Sequence, residues 1–253
     1  MKVKYENDSR RLYGDLAWLW PIISSPEEYA EESELFSKTI KVHSKVEART
    51  LLHLGCGGGM NDYTLKRHFQ VTGVDISEEM LKLARKLNPD VRYVNGDMRT
   101  IRLGECFDTV IAPDSINYMR TPEDLRSVFQ TAYEHLKPGG VFLVIAEVTA
   151  EKFKQNRTMC SCHSQAGVEL AFIENGYDPD PSDTSCEAIF IYLIRRKGKL
   201  EIQTDHHLLG VFSIDTWHNL LIQVGFKIEQ MKFEHTTFSK GEYLPMLVCT
   251  KPW

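Results

Sequence analysis

Leu51-Leu52-His53-Leu54-Gly55-Cys56-Gly57-Gly58-Gly59 sends an apolar run of strand length straight into four glycines among five residues. Such a run suits a parallel strand buried on both faces, which delivers a ligand to the backbone turn at its carboxyl end. Glycine fits that turn because it adopts unusual φ/ψ and lets the main chain touch a ligand with no Cβ between them. A second apolar run, Val71-Thr72-Gly73-Val74, ends in Asp75, sixteen residues beyond Gly59. In a βαβ unit an acid at that strand tip accepts hydrogen bonds from the two hydroxyls of a ribose. The two stretches together predict a nucleoside site. A tight surface turn would explain the glycines alone but not the acid.

The spacing narrows the choice of nucleoside. A dinucleotide fingerprint reads G-x-G-x-x-G, with the third glycine where a helix packs on the strand. Here the pattern is G-x-G-x-G, and Met60 stands where that third glycine would fall. No Lys-Ser or Lys-Thr pair follows, so a phosphate-cradling loop is excluded too.

The glycine turn resembles motif I of the class I S-adenosylmethionine (SAM)-dependent methyltransferases, and the resemblance continues beyond it. Val74-Asp75-Ile76-Ser77 looks like their second motif, whose acid holds the ribose. Gly96-Asp97-Met98 resembles the third, whose acid meets the adenine amino group while the next residue lies against the ring. Phe107–Ile111 is similar to their fourth strand and Leu136-Lys137-Pro138-Gly139-Gly140 to the turn before the fifth, so the likeness covers about 50–148. It implies SAM as cofactor, S-adenosylhomocysteine (SAH) as product, and contacts from His53, Gly55, Cys56, Gly57, Gly59, Asp75, Ile76, Asp97, Met98 and Ala112. One position departs from the family, which usually has Asp or Glu where His53 stands, ordering the methionine end of SAM. A histidine supplies no fixed negative charge there, which keeps open a protein that binds SAM or SAH without turnover. If the departure is a loss, His53→Asp is expected to strengthen SAM binding.

At 253 residues the chain can bury a sizeable core. It has no apolar run long enough to span a bilayer, and Met1-Lys2-Val3-Lys4-Tyr5-Glu6 lacks the apolar core of a signal peptide. A cytoplasmic protein without a membrane partner is the expectation. Net charge is −5 and no long basic block offsets it, which disfavours nucleic-acid partners. The dense basic run Arg195-Arg196-Lys197-Gly198-Lys199 reads as a solvated hairpin tip. Six cysteines are scattered, and the Cys160-Ser161-Cys162-His163 cluster has no complementary pair at zinc-finger spacing. Free thiols in a loop are expected, and no metal.

Ahead of the first strand, Leu12, Leu16, Leu19 and Trp20 recur near helical spacing, with Asp8 or Ser9 as cap and Pro21 as the end. Ser25-Pro26-Glu27-Glu28 reads as a second helix start, running to about Val46. From residue 50 strands and helices alternate as far as Val141–Ile145, which specifies a parallel, doubly wound α/β sheet. Residues 151–185 are polar, with Asn175-Gly176 as turn material, and a hairpin of Ala188–Arg195 and Leu200–Leu208 follows. A helix over 213–224, capped by Ser213 and ended by Gly225, precedes strands near 226–234 and 244–250. The expected layout is a single domain, 1–253. A helical cap (1–48) precedes a SAM-binding core (49–150), an inserted lid over the acceptor pocket (151–210), and 211–253 to complete a Rossmann-like, mostly parallel seven-stranded sheet.

The inserted hairpin resembles that of small-molecule methyltransferases that dimethylate the amine of nucleotide-linked sugars. Tyr13, Tyr29, Gly96-Asp97-Met98-Arg99 and His207-Leu208-Leu209-Gly210 fit the likeness. It implies a small polar acceptor, an aminosugar among the choices, methylated on N or O. Methyl transfer needs proximity, a closed pocket and a lone pair aimed at the methyl group, and an amine must first lose its proton. His207, Tyr118 and Tyr13 are the catalytic candidates, His207 as base because its ordinary pKa lies near neutrality; Asp114 is a further one. An RNA or protein methyltransferase is the other alternative, against which the missing basic field counts. A nicotinamide dehydrogenase ranks last. The hairpin edge leaves a homodimer open.

Overall fold

The computed structural model describes residues 8–253, so the Met1–Glu6 stretch lies outside the described residues. In chain order the elements are α1 (Trp20–Ile23), α2 (Ala30–His43), β1 (Thr50–Leu54), α3 (Met60–Leu65), β2 (Gln70–Asp75), α4 (Glu78–Leu87), β3 (Arg92–Asn95), β4 (Phe107–Ala112), α5 (Pro122–His135) and β5 (Leu136–Ile145). Then follow β6 (Arg157–Gln165), β7 (Val168–Tyr177), β8 (Ser185–Arg196), β9 (Lys199–Gly210), α6 (Ile214–Val224), β10 (Lys227–Phe233) and β11 (Leu244–Thr250). None of these helices is long and apolar enough to cross a membrane.

The main sheet has seven strands in the order β10-β11-β5-β4-β1-β2-β3. Only β11 runs antiparallel to its neighbours, β5 and β10. Its central strands are apolar on both faces because helices cover both. Leu52, Leu54 and Phe142 pack towards Phe129 of α5 and Trp217 and Leu221 of α6, while Leu51, Ile111 and Leu143 pack with Phe36 and Ile40 of α2. Three helices start as the sequence predicts, with Ser77, Thr121 and Ser213 side chains each accepting a backbone N–H from three residues on. Gly225 ends α6 at φ 114°, a value open to glycine.

Several expectations are corrected. The segment before the first strand is not one helix but two 3₁₀ turns, Arg11–Tyr13 and Ala17–Leu19, followed by α1. Pro21 lies in the first turn of α1, where its missing N–H is not needed, so it opens that helix rather than closing the segment. The second helix starts at Ala30, not beside Ser25, and stops at His43. Residues 151–185 hold two further strands, so the insert is a four-stranded antiparallel sheet, β6-β7-β8-β9, not one hairpin. Asn175-Gly176 pairs within β7 instead of turning, and Cys160 and Cys162 are exposed on β6 rather than in a loop. The turns fall at Ala166-Gly167 and Lys197-Gly198, each with both residues at positive φ, which matches strand twist in a two-residue hairpin. At the second tip, the Arg196 guanidinium lies 4.0 Å over the Trp18 ring, so this basic run packs as well as solvates.

The second sheet holds the entry segment. Leu12, Leu16, Leu19 and Ile23 form one buried cluster with Leu170, Ala188, Phe190, Tyr192 and Ile194. Burying aliphatic side chains of this size contributes roughly 1.5–3 kcal/mol each. The sheet joins the core at the end of β9, where a Cβ on Gly210 would come within 1.9 Å of the Met119 carbonyl oxygen. Gly210→Ala is therefore expected to destabilise the protein by about 1–3 kcal/mol or more, read as a lower urea midpoint. An unchanged midpoint would contradict this packing.

Candidate active site

The end of β1 is held open by hydrogen bonds that involve no side chain of the strand itself. Gly55 and Cys56 N–H groups donate to the Val74 carbonyl at 2.7 and 3.0 Å, and the Gly55 carbonyl accepts from Ser115 Oγ at 2.8 Å. Gly55, Gly57 and Gly59 all have positive φ. A Cβ on Gly55 would strike Ser115 and Met98, and one on Gly59 would strike Tyr93 and Asn88. One on Gly57 would meet nothing within 4 Å, so Gly57 leaves open space where backbone can approach a ligand. Asp75 fixes this turn: its carboxylate accepts from Gly57 N at 2.7 Å and from Ser77 N at 2.8 Å. Burial raises the Asp75 pKa, against the hydrogen bonds from those amides.

Two cavities meet here. The first, about 380 Å³, is lined by Gly55, Gly57, Asp75, Ile76, Asp97 and Met98 among others. The second, about 390 Å³, is lined by Trp20, Cys56, Asp114, Asn117, Glu147 and Glu174 among others. Tyr13, Gly55, Gly57, Ser115 and Tyr118 border both. At the far end of the first cavity Arg99 grips Asp97 through Nε and Nη2, with Nη1 on Asp124 at 2.8 Å. That pairing holds the Asp97 carboxyl below its ordinary range.

At the junction, Tyr118 Oη lies 3.0 Å from Tyr13 Oη and 2.5 Å from His207 Nδ1. His207 Nε2 lies 2.7 Å from Asp205 Oδ2, and both side chains are fully buried. Asp205 also accepts from Ser9 Oγ at 2.6 Å and Leu12 N at 2.7 Å, so one carboxylate ties the entry segment to β9. Burial alone would raise its pKa, but the hydrogen bonds from His207, Ser9 and the entry backbone take it well below the carboxylate range. Burial keeps Tyr13 and Tyr118 neutral by raising both phenols.

The sequence candidates thus divide. Tyr13, Tyr118, Gly55, Cys56, Gly57, Asp75, Ile76, Asp97 and Met98 line the cavities. His53, Gly59, Ala112 and His207 stand behind their walls; Ala112, the last residue of β4, is fully buried in the core. His207 reaches the junction through Tyr118, with its other ring nitrogen on Asp205. Asp205 was missed, although Asp205 and His207 at i and i+2 share one face of a strand. His53 is not without an acid: Nδ1 lies 2.7 Å from Asp62 Oδ1, and Tyr93 Oη donates to Asp62 Oδ2 at 3.0 Å. The negative charge absent from β1 stands on α3.

A methyltransferase-domain family model matches residues 51–140. The dTDP-3-amino-3,6-dideoxy-alpha-D-glucopyranose N,N-dimethyltransferase of Streptomyces fradiae is 31% identical over 222 residues, covering 86% of each chain. The chain belongs to the class I SAM-dependent methyltransferases. The methyltransferase is also 28% identical over 230 residues to the dTDP-3-amino-3,4,6-trideoxy-alpha-D-glucopyranose N,N-dimethyltransferase of Streptomyces venezuelae, covering 90% of this chain and 94% of that one. The crystal structure of Streptomyces venezuelae DesVI matches it with a TM-score of 0.80 at 25% identity, over 98% of this chain and 100% of that one. SAM-bound CalS10 from Micromonospora echinaspora, an amino pentose methyltransferase, shares the fold with a TM-score of 0.78 at 22% identity, over 94% and 96% of the chains. SAM is the cofactor, and the first cavity fits it: open backbone at Gly57 and, at the tip of β2, the Asp75 carboxylate, each of whose oxygens accepts one hydrogen bond and can take another.

The His53–Asp62 pair reverses the effect expected of an acid at position 53. His53→Asp sets two buried carboxylates against each other, so weaker SAM binding and a lower urea midpoint are expected. Calorimetry showing tighter binding would contradict the pairing.

Proposed function

We propose that this enzyme works in the cytoplasm and moves the methyl group of SAM to the amine of a small, aminosugar-type acceptor. The carrying observation is the meeting of the two cavities at Gly55, Gly57, Tyr13 and Tyr118, one suited to a nucleoside and the other lined by carboxylates. The names of the Streptomyces relatives, both amine dimethyltransferases, support the choice of nitrogen.

In this reading Asp75 receives the ribose hydroxyls, Asp97 the adenine amino group, and Ile76 and Met98 flank the ring. Gly55, Cys56 and Gly57 offer backbone to the amino-acid end, while His53, Gly59 and Ala112 shape that wall from behind. Bound SAM supplies a methyl group on a positively charged sulfur, open to in-line displacement. The protein supplies proximity and a closed chamber. Asp205 orients His207, His207 fixes the Tyr118 hydroxyl, and Tyr118 with Tyr13 presents neutral oxygen lone pairs at the junction. These are positioning roles. The insert of 151–210 serves as the outer wall of the acceptor chamber, and the entry segment as its cap.

A chamber without a lysine or arginine on its wall, among the described residues, argues against RNA as acceptor. The test is mass spectrometry of small amines and the corresponding alcohols incubated with enzyme and SAM. Aminosugars are expected to gain one or two methyl groups and the alcohols none. SAM binding without methylation of any amine would favour a binding protein instead.

A further inference from the structure

Trp20 opens α1, with Pro21 in the first turn fixing the backbone beside it. Its indole lies against the glycine turn: a Cβ on Gly58 would come 2.8 Å from Trp20 Cδ1 and 3.2 Å from Nε1. Unlike Gly55, Gly57 and Gly59, Gly58 does not have positive φ, so its bare Cα serves the approach of the ring and not the course of the backbone. The Tyr13 ring, its centroid 6.1 Å away, flanks the indole. Nε1 is nevertheless buried without a hydrogen-bond partner, in a residue that lines the second cavity. An indole N–H can only donate, and a buried donor left unpaired is costly. A ligand that presents an acceptor beside Gly58 removes that cost.

The SAM molecule carries such an acceptor. With its adenosine between Asp75 and Asp97, the methionine tail leaves the first cavity where Gly55 and Gly57 border the second. Its carboxylate then needs donors in a chamber whose wall holds Asp114, Glu147 and Glu174 and, among the described residues, no lysine or arginine. Arg10, Arg99 and Arg120 line the first cavity and do not border the second. Arg10 is paired with Asp8, and Arg99 with Asp97 and Asp124. Lys152, Lys154 and Arg157 line a neighbouring cavity of about 550 Å³, which meets the second at Glu147, Val148, Glu174 and Leu209. No residue of the glycine turn borders that basic cavity. Asn117 also carries an unpartnered buried atom on the second cavity's wall, but this Oδ1 is an acceptor that repels an anion, and its Nδ2 is engaged by Glu147. Among the described residues of that wall, Trp20 Nε1–H is the buried side-chain donor left without a partner.

We propose that Trp20 is a cofactor-binding residue: its Nε1–H donates to the carboxylate of the SAM methionine tail, and Gly58 stays bare so that the indole can reach it. This rests on the placing of the adenosine between Asp75 and Asp97 and is independent of the acceptor. A tail carboxylate held beside Gly58 is kept from among Asp114, Glu147 and Glu174, so the same contact leaves the acid chamber to the acceptor.

Calorimetry with two ligands tests this without turnover: SAH, and decarboxylated SAH, which keeps the amine and lacks the carboxylate. Trp20→Phe keeps an aromatic ring and removes the N–H. It is expected to weaken SAH about tenfold and to leave the decarboxylated ligand unchanged, which also verifies folding. Gly58→Ala, whose Cβ displaces the indole, is expected to shift the ratio of the two affinities in the same direction. Equal weakening of both ligands by Trp20→Phe would make the ring a packing element only, and an unchanged SAH affinity would remove the hydrogen bond; either result overturns the inference. Asp75→Asn is expected to weaken both ligands alike. If it weakens neither, the placing of the adenosine fails, and the inference with it.

Discussion

The site depends on one carboxylate, Asp205. Its two oxygens hold Ser9 and the Leu12 amide of the entry segment and the imidazole of His207 on β9. A fully buried acid with hydrogen bonds to each oxygen can stay ionised where an unpaired one could not. Through it the entry segment is laid across the second sheet, which brings Tyr13 beside Tyr118. Those two phenols, with Gly55, Gly57 and Ser115, form the wall that both cavities share. The Ser9 amide donating to the His206 carbonyl, Arg11 on Gln203 and the apolar contacts with Phe190 and Tyr192 hold the same segment alongside this clasp.

The glycine turn is the opposite case, a place where side chains are kept away. The backbone at Gly55 and Gly57 is fixed by Val74 and Asp75 at the end of β2 and by Ser115, in the turn that follows β4. A parallel sheet puts those ends together. Ser77 adds a further tie: it caps α4 with its oxygen and donates to the Tyr13 carbonyl, joining the cap to the ribose end. The two chambers thus share a few residues.

Most of the core was legible because its signals are local. Leu51–Gly59, Val71–Asp75 and the Ser77, Thr121 and Ser213 caps carry their own physics, and the structure builds them where the residues indicate. The second sheet was half legible. β8 alternates between buried and partly buried positions, but β6 is an edge strand with nearly every residue exposed, so no hydrophobic period marks it. Asn175-Gly176 carries a turn signal that strand pairing overrides. Pro21 was misread because proline is as much at home in the first turn of a helix as beyond its end. The Asp62 partner of His53, the Asp205 clasp and the acid chamber formed by Asp114, Glu147 and Glu174 bring together residues from separate elements. No spacing in the chain announces such groupings; only the folded topology does.

The central claim is that methyl transfer takes place where the two cavities meet. A crystal structure of the enzyme with SAH tests it most directly. The account predicts the adenosine between Asp75 and Asp97, with the sulfur beside Tyr13 and Tyr118 facing the Asp114 and Glu147 chamber. An SAH whose sulfur turns away from that chamber, or whose amino-acid tail fills it, would contradict the account.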